Sequence, residues 1–247
     1  MNAFRRYQWM KAAAGILYPR LLCANCGQES EDILCPTCRQ QWETLRRCPD
    51  CATFIAPTEA PDYRCAACRR ERPPFAAAVA ALPYEGELRQ RLLAFKYRSA
   101  TGWRRALGEL LAATARRCYG ERRFDAVLPI PLAPARLRER GYNQSALLSR
   151  IVAGELQLPL RPEYLRRIRD TRPLAELDAK ARVKEIDGAF RGDPAAAGQH
   201  LLLIDDIYTT GATASAATRA LLAAGAASVC VLTVAAGRET RPTPAVP

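Results

Sequence analysis

Apolar positions change their spacing near residue 74, and the change divides the chain in two. Before it, apolar residues come singly between paired cysteines. After it they come in runs and stripes with the periods of strands and helices. Residues 75–84 read as a strand, and 126–130 form a short apolar run suited to a buried strand. Residues 86–95 and 103–118 read as helices, and 143–156 predicts a helix with Leu147, Leu148, Ile151, Val152 and Leu156 on one face. Four apolar residues at 201–204 predict a further buried strand; a polar loop and a helical run over 216–224, ended by Gly225, follow it. Alternating strands and helices point to an α/β fold with a mostly parallel sheet. The polar, proline-bearing stretch 69–74 is the natural boundary.

With 247 residues, 49% hydrophobic and 25% charged, the chain can bury a core and is not of disordered composition. A stretch of about 18 uninterrupted apolar residues, the signature of a membrane span, does not occur in it. The start imitates a signal peptide, but its apolar run at 12–17 is short and leads into Tyr18, Pro19 and Arg20 without a small-residue cleavage site. It reads as an amphipathic lead-in helix over 1–20 of a cytoplasmic protein. Of the net charge of +12, an excess of seven lies within 73–140, where 13 basic side chains meet 6 acidic ones. That excess suits an anionic partner such as nucleic acid, and suits equally a solvated arginine-rich surface.

Eight of the ten cysteines form four Cys-x-x-Cys pairs: Cys23/Cys26, Cys35/Cys38, Cys48/Cys51 and Cys65/Cys68. Two intervening residues let one tight turn aim both sulfurs at a single tetrahedral ion, and two such turns complete a four-thiolate site. Four pairs therefore predict two structural zinc ions. Pairing by nearness puts the first four cysteines on one ion and the last four on the other; an interleaved pairing is the alternative. A disulfide framework would need an oxidising compartment that nothing at the N-terminus signals, and a redox pair would leave three pairs idle. Cys118 and Cys230 read as buried, inert thiols, and His200, the only histidine, as a strand-edge residue.

The strand at 201–204 runs into Asp205-Asp-Ile-Tyr-Thr-Thr-Gly-Ala-Thr213. Two carboxylates emerge at a strand end, and a short loop with hydroxyls and one glycine opens a helix. Backbone N–H groups at that helix start, with the hydroxyls of Thr209, Thr210 and Thr213, form an anion socket, and Gly211 permits close approach of the backbone. Asp205 and Asp206 can accept from sugar hydroxyls and help to hold Mg²⁺. Adjacent strand residues point to opposite faces, so the two acids serve one site only if the strand ends there and the chain turns.

With these motifs the chain resembles the ComF competence family and, in its C-terminal part, the type I phosphoribosyltransferases. The resemblance rests on the four cysteine pairs, Tyr84-Glu-Gly86, Phe95-Lys-Tyr97, Val127-Leu-Pro-Ile-Pro131 and Arg138-Glu-Arg-Gly-Tyr-Asn-Gln144. Arg169-Asp-Thr171 with Arg182, Ala189-Phe190 and the motif at 205–213 complete it. It implies a double zinc ribbon over 21–73, a phosphoribosyltransferase-like domain over 74–238 and a flexible tail over 239–247. It also implies that Asp205 and Asp206, the catalytic candidates, contact ribose hydroxyls. Thr209, Thr210, Gly211, Ala212 and Thr213 would take the 5-phosphate of phosphoribosyl pyrophosphate, bound with Mg²⁺. Lys96 or Arg140 would meet its pyrophosphate; otherwise Lys96 caps its helix and Arg140 is solvated. The chain departs from the family pattern at Leu174 and Glu185, in the segment that would hood the cleft.

Three functions follow. The first is a competence protein that binds a phosphoribosyl ligand and handles incoming single-stranded DNA with other competence proteins. The second is a nucleotide-salvage phosphoribosyltransferase, and the third a non-catalytic single-strand binder. The aliphatic, arginine-rich segment 169–182 offers few polar groups for base recognition and weakens the second.

Overall fold

The computed structural model describes residues 22–97, 103–171 and 179–239. The expected lead-in helix, the tail beyond Glu239 and Leu174 lie outside the described residues. The N-terminal part contains α1 (Pro36–Thr44), β1 (Arg46–Arg47), β2 (Phe54–Ile55) and α2 (Ala66–Arg70), with β1 and β2 antiparallel. Next come β3 (Ala77–Pro83), α3 (Gly86–Tyr97), α4 (Arg104–Tyr119), β4 (Ala126–Pro129), α5 (Pro134–Arg140) and α6 (Gln144–Leu156). A small antiparallel pair, β5 (Leu165–Arg167) with β6 (Phe190–Gly192), brackets α7 (Ala179–Ile186). The chain continues with β7 (His200–Tyr208), α8 (Ala212–Ala223) and β8 (Ser228–Ala236).

Four strands form one parallel sheet in the order β3-β8-β7-β4. Helices lie on both of its faces, which is why these strands are apolar almost throughout. Along β3, Ala77, Val79 and Ala81 join the cluster under α3, α4 and α6, while Ala78 and Ala80 join the cluster under α8. The same split divides Leu202 and Ile204 from Leu201 and Leu203 on β7.

The cysteine module grips the sheet at its β3 edge. Its first four cysteines belong to the cluster on the α3 face and its last four to the cluster on the α8 face. An edge strand exposes unpaired carbonyls; here half-buried Arg47 donates to Ala80 O at 2.6 Å and Ala81 O at 3.1 Å. On the other side Arg91 of α3 donates to Cys23 O at 2.7 Å and Ala24 O at 3.0 Å.

Three sequence expectations fail. The strand predicted to stop at residue 204 continues to Tyr208, because its ladder to β8 runs on past Ile204, where the pairing with β4 ends, and carries the polar residues along. The helix predicted from residue 216 begins at Ala212, since Gly211 at φ +76° already turns the chain. Cys118 is exposed rather than buried: Tyr119 closes the end of α4 over the sheet, its hydroxyl donating to Val231 O. Cys230 is buried, and His200 sits exposed at the start of β7 with Nδ1 2.8 Å from Ser228 Oγ. Among the described residues, no helix is long and apolar enough to cross a membrane.

Candidate functional site

The carboxyl end of β7 brings the chemistry together. Its ladder to β8 pairs Asp205 with Thr233 and Ile207 with Ala235 but skips Asp206. The Asp206 N–H instead donates to its neighbour, Asp205 Oδ1, at 2.9 Å. Beyond the skip the faces invert: Ile207 packs with the Leu202 side and Tyr208 with the Leu201 side. The chain thus changes face at Asp206 without ending the strand. Ser145 of α6 donates to Asp205 Oδ1 at 2.9 Å, and Lys96 of α3 lies with Nζ 3.0 Å from Asp206 Oδ2. Both partners come from helices of one face.

Charge and burial tune this pair. Burial, and after it the Asp206 carboxylate, pushes the Asp205 carboxyl up to about 7, while Lys96, the Asp206 N–H and the Ser145 hydroxyl pull the other way. Burial works against the Lys96 ammonium, but Asp206 and Asp205 outweigh it and hold its pKa above the ordinary value. The reach of Lys96 is toward the acids, not toward the carbonyls at the end of its own helix.

The segment 138–144 locks the lysine's surroundings. Gly141, at φ +75°, ends α5, and Asn143 caps α6 by accepting from Ser145 N and Ala146 N. Asn143 Nδ2 donates to Ile130 O at 3.0 Å, Gln144 Nε2 to Lys96 O at 3.3 Å, and Tyr142 Oη to Phe95 O. Arg140, half-buried, donates to Gln144 Oε1 at 3.4 Å and lies close enough to Lys96 to oppose its charge.

After Tyr208 only Thr209, Thr210 and Gly211 separate strand from helix. Gly211 is the N-cap and offers no side chain, so α8 opens toward a shallow open cleft lined by Asp205, Thr209, Gly211, Ala212 and Thr213 among others. Thr209 and Thr210 are exposed, and Thr210 Oγ1 accepts from Ala212 N at 3.4 Å. Thr210, Asp206, Lys96 and Arg140 do not line that cleft; the ion pair stands beside it through Asp205. A Cβ on Gly211 would overlap the Tyr208 hydroxyl, so the phenol occupies the space beneath the loop.

Sequence reading missed Ser145 and the role of Tyr208. Ser145 stood two residues past the capping Asn143, where its hydroxyl faces the sheet. Tyr208 stood inside the motif, but nothing local says what its ring touches. Of Tyr84, Phe95, Tyr97 and Trp103 in the basic segment, Phe95 is fully buried and offers no stacking surface, Tyr84 and Trp103 are half-buried, and the Tyr97 side chain lies outside what is described.

The eight cysteines form two separate groups, Cys23, Cys26, Cys35 and Cys38, then Cys48, Cys51, Cys65 and Cys68, with all sulfurs of a group within 4.8 Å of one another. Each group joins a turn to a helix start: Cys35 caps α1 and Cys65 caps α2. The neighbour pairing holds. Sulfurs about 2.3 Å from a tetrahedral ion stand about 3.8 Å apart, and Cys26–Cys35 and Cys51–Cys65 are each 3.7 Å apart. Both groups can hold a metal ion.

No family model matches the chain. Among curated proteins it is 30% identical over 202 residues to the DNA utilization protein YhgH of Salmonella typhimurium, covering 80% of this chain and 88% of that one. It is 26% identical to competence protein F of Haemophilus influenzae, over 85% of this chain and 94% of the relative. For the competence protein ComFC of Bacillus subtilis the identity is 28%, over 86% and 83%. The chain belongs to the ComF family. Solved structures similar to this ComF-family chain include the glutamine phosphoribosylpyrophosphate amidotransferase of Bacillus subtilis, at 19% identity and a TM-score of 0.36 over 52% of this chain. The chain spans a quarter of that enzyme's length, 25%. A hypoxanthine-guanine-xanthine phosphoribosyltransferase is 18% identical with a TM-score of 0.31, over 58% of the ComF-family chain and 70% of the enzyme.

Proposed function

We propose that this ComF-family protein binds a phosphoribosyl ligand, phosphoribosyl pyrophosphate with Mg²⁺, at the end of β7. One observation carries the reading: two adjacent carboxylates, tied to Lys96 and Ser145, abut a three-residue loop that opens α8. Thr209 to Thr213 would hold the 5-phosphate through hydroxyls and the first-turn N–H groups, and Asp205 and Asp206 the ribose hydroxyls. Mg²⁺, when bound with the ligand, would neutralise phosphate charge beside the same carboxylates. Lys96 and Arg140 supply positive charge toward the pyrophosphate. The proposal is one of binding and includes no transfer step.

Calorimetry tests it. Ribose 5-phosphate and phosphoribosyl pyrophosphate should bind better than sulfate, and Thr210→Val should weaken both by about 1 to 3 kcal/mol, the scale of a hydrogen bond to a charged group. Asp206→Asn should spare inorganic phosphate and reduce the Mg²⁺-dependent part. Since Asp205 must be ionised to accept from a sugar, affinity should rise with pH through about 7. Sulfate binding equal to that of the sugar phosphates would reduce the loop to a generic anion site.

The two cysteine groups we assign to structural zinc, a chemistry suited to a reducing, cytoplasmic setting. Metal analysis should find two zincs per chain, and one after Cys35→Ser with Cys38→Ser; iron in their place would overturn the assignment. The competence and DNA-utilization names of the relatives support a role with incoming single-stranded DNA. Arg104 and Arg105 are exposed at the start of α4, where phosphates could reach them. Single-strand affinity that falls steeply with salt is the expected sign, and its indifference to Arg104→Glu with Arg105→Glu would remove α4 from the contact.

A further inference from the structure

A closed circuit of hydrogen bonds leaves β7 one residue before the adjacent acids and returns to the first of them. Ile130 N, just past β4, donates to Ile204 O at 2.9 Å. Asn143 Nδ2 donates in turn to Ile130 O at 3.0 Å, and Asn143 Oδ1 accepts from Ser145 N at 3.0 Å as the cap of α6. The circuit closes where Ser145 Oγ donates to Asp205 Oδ1 at 2.9 Å. Ser145 is buried, and its carbonyl accepts from Ser149 Oγ at 2.7 Å, so its backbone is held on both sides. Asp206 N adds a second donor to the same carboxylate oxygen, at 2.9 Å. Among the described residues no donor is bonded to the other oxygen, Asp205 Oδ2, although Asp205 lines the cleft before the loop.

We propose that Ser145 is a positioning residue: by filling Oδ1 it fixes the Asp205 carboxylate so that Oδ2 meets a hydroxyl of the bound sugar. The inference rests on the phosphoribosyl reading above and adds a residue to it. The two oxygens of a carboxylate exchange by rotation about one terminal torsion, and that torsion is broad when nothing restrains it. Here two donors act from fixed directions, one from the backbone of β7 and one from a capped helix start, and together they select one orientation. An orientation held before the ligand arrives spares binding the entropy of ordering it. The two acids are therefore held in different ways. Asp206 has its oxygen on the Lys96 ammonium, whereas Asp205 is held by two uncharged donors on one oxygen and keeps the other for a ligand.

Calorimetry on the full chain in magnesium-free buffer tests this, with ribose 5-phosphate and inorganic phosphate as the probes. Ser145→Ala should weaken ribose 5-phosphate about tenfold, the low end of what supporting hydrogen bonds to ligating groups contribute, and leave inorganic phosphate unchanged. Phosphate binding by the same variant shows that its loop is intact, so a loss confined to the sugar phosphate is not general unfolding. Ser145→Thr keeps the hydroxyl and should recover most of the affinity. Ser149→Ala removes a buried hydroxyl one turn along α6 that bonds to Ser145 O rather than to Asp205, and should leave both ligands unchanged. Equal weakening of both ligands by Ser145→Ala, or the same loss in Ser149→Ala, would overturn the positioning role. If the unaltered chain prefers ribose 5-phosphate to inorganic phosphate and Ser145→Ala keeps that preference in full, this inference alone is wrong. If the unaltered chain shows no such preference, the phosphoribosyl reading fails, and this inference with it.

Discussion

Replacing Lys96 by Met should destabilise the protein by about 3 kcal/mol or more, the scale for removing one partner of a buried ion pair. The lysine and Asp206 side chains are 22% and 8% exposed, so solvent replaces little of the lost charge. Removing the ammonium leaves two neighbouring carboxylates that repel within β7. The loss should grow with pH. A carboxyl whose folded pKa stands near 7 rather than near 4 binds its proton more tightly in the folded chain, so folding stability is full below about pH 4 and declines as pH rises toward 7. Without Lys96 that pKa moves higher still and the decline extends further. Urea melts at about pH 4 and about pH 8, on either side of that range, would measure this, and Asp206→Asn in the Lys96→Met background should recover much of the stability. A Lys96→Met protein that melts with the unaltered one at the higher pH would show that the pair does not hold this end of β7 together.

Gly211→Ala should abolish measurable binding of sugar phosphates and lower stability together. Two costs add. An alanine at φ +76° pays about 1 to 2 kcal/mol for left-handed backbone. Its methyl would also run into the Tyr208 ring, with Cζ only 2.7 Å away, and displacing a packed ring typically costs about 1 to 3 kcal/mol more. Gly198→Ala separates them: Gly198 has φ +73°, with nothing within 4 Å of a Cβ. The excess loss at Gly211 over Gly198 reads the contact alone. Equal losses at the two positions, with ligand binding retained in Gly211→Ala, would mean that the close fit over Tyr208 has no part in the loop's function.

What depends on spacing along the chain was legible before any fold was known. Two residues between thiols marked four ligand pairs; runs of apolar residues alternating with helical stripes marked the α/β layers; vicinal acids before a Thr-Thr-Gly loop marked the candidate site. Each is a local pattern, dictated by the 2.0 and 3.6 periods of strand and helix or by the bite of a tight turn. It took the folded chain to decide which sulfurs share a centre, that the two centres clasp opposite faces of one sheet, and that Ser145 reaches Asp205 from 60 residues away. Folding also decided that the ladder skips Asp206, that the adjacent acids meet Ser145 and Lys96 from helices of one face, and that the Tyr208 hydroxyl lies beneath Gly211. Alternation says which side of its own strand a residue occupies. It cannot say which other element covers that side, because that choice is settled by burial of the whole core at once.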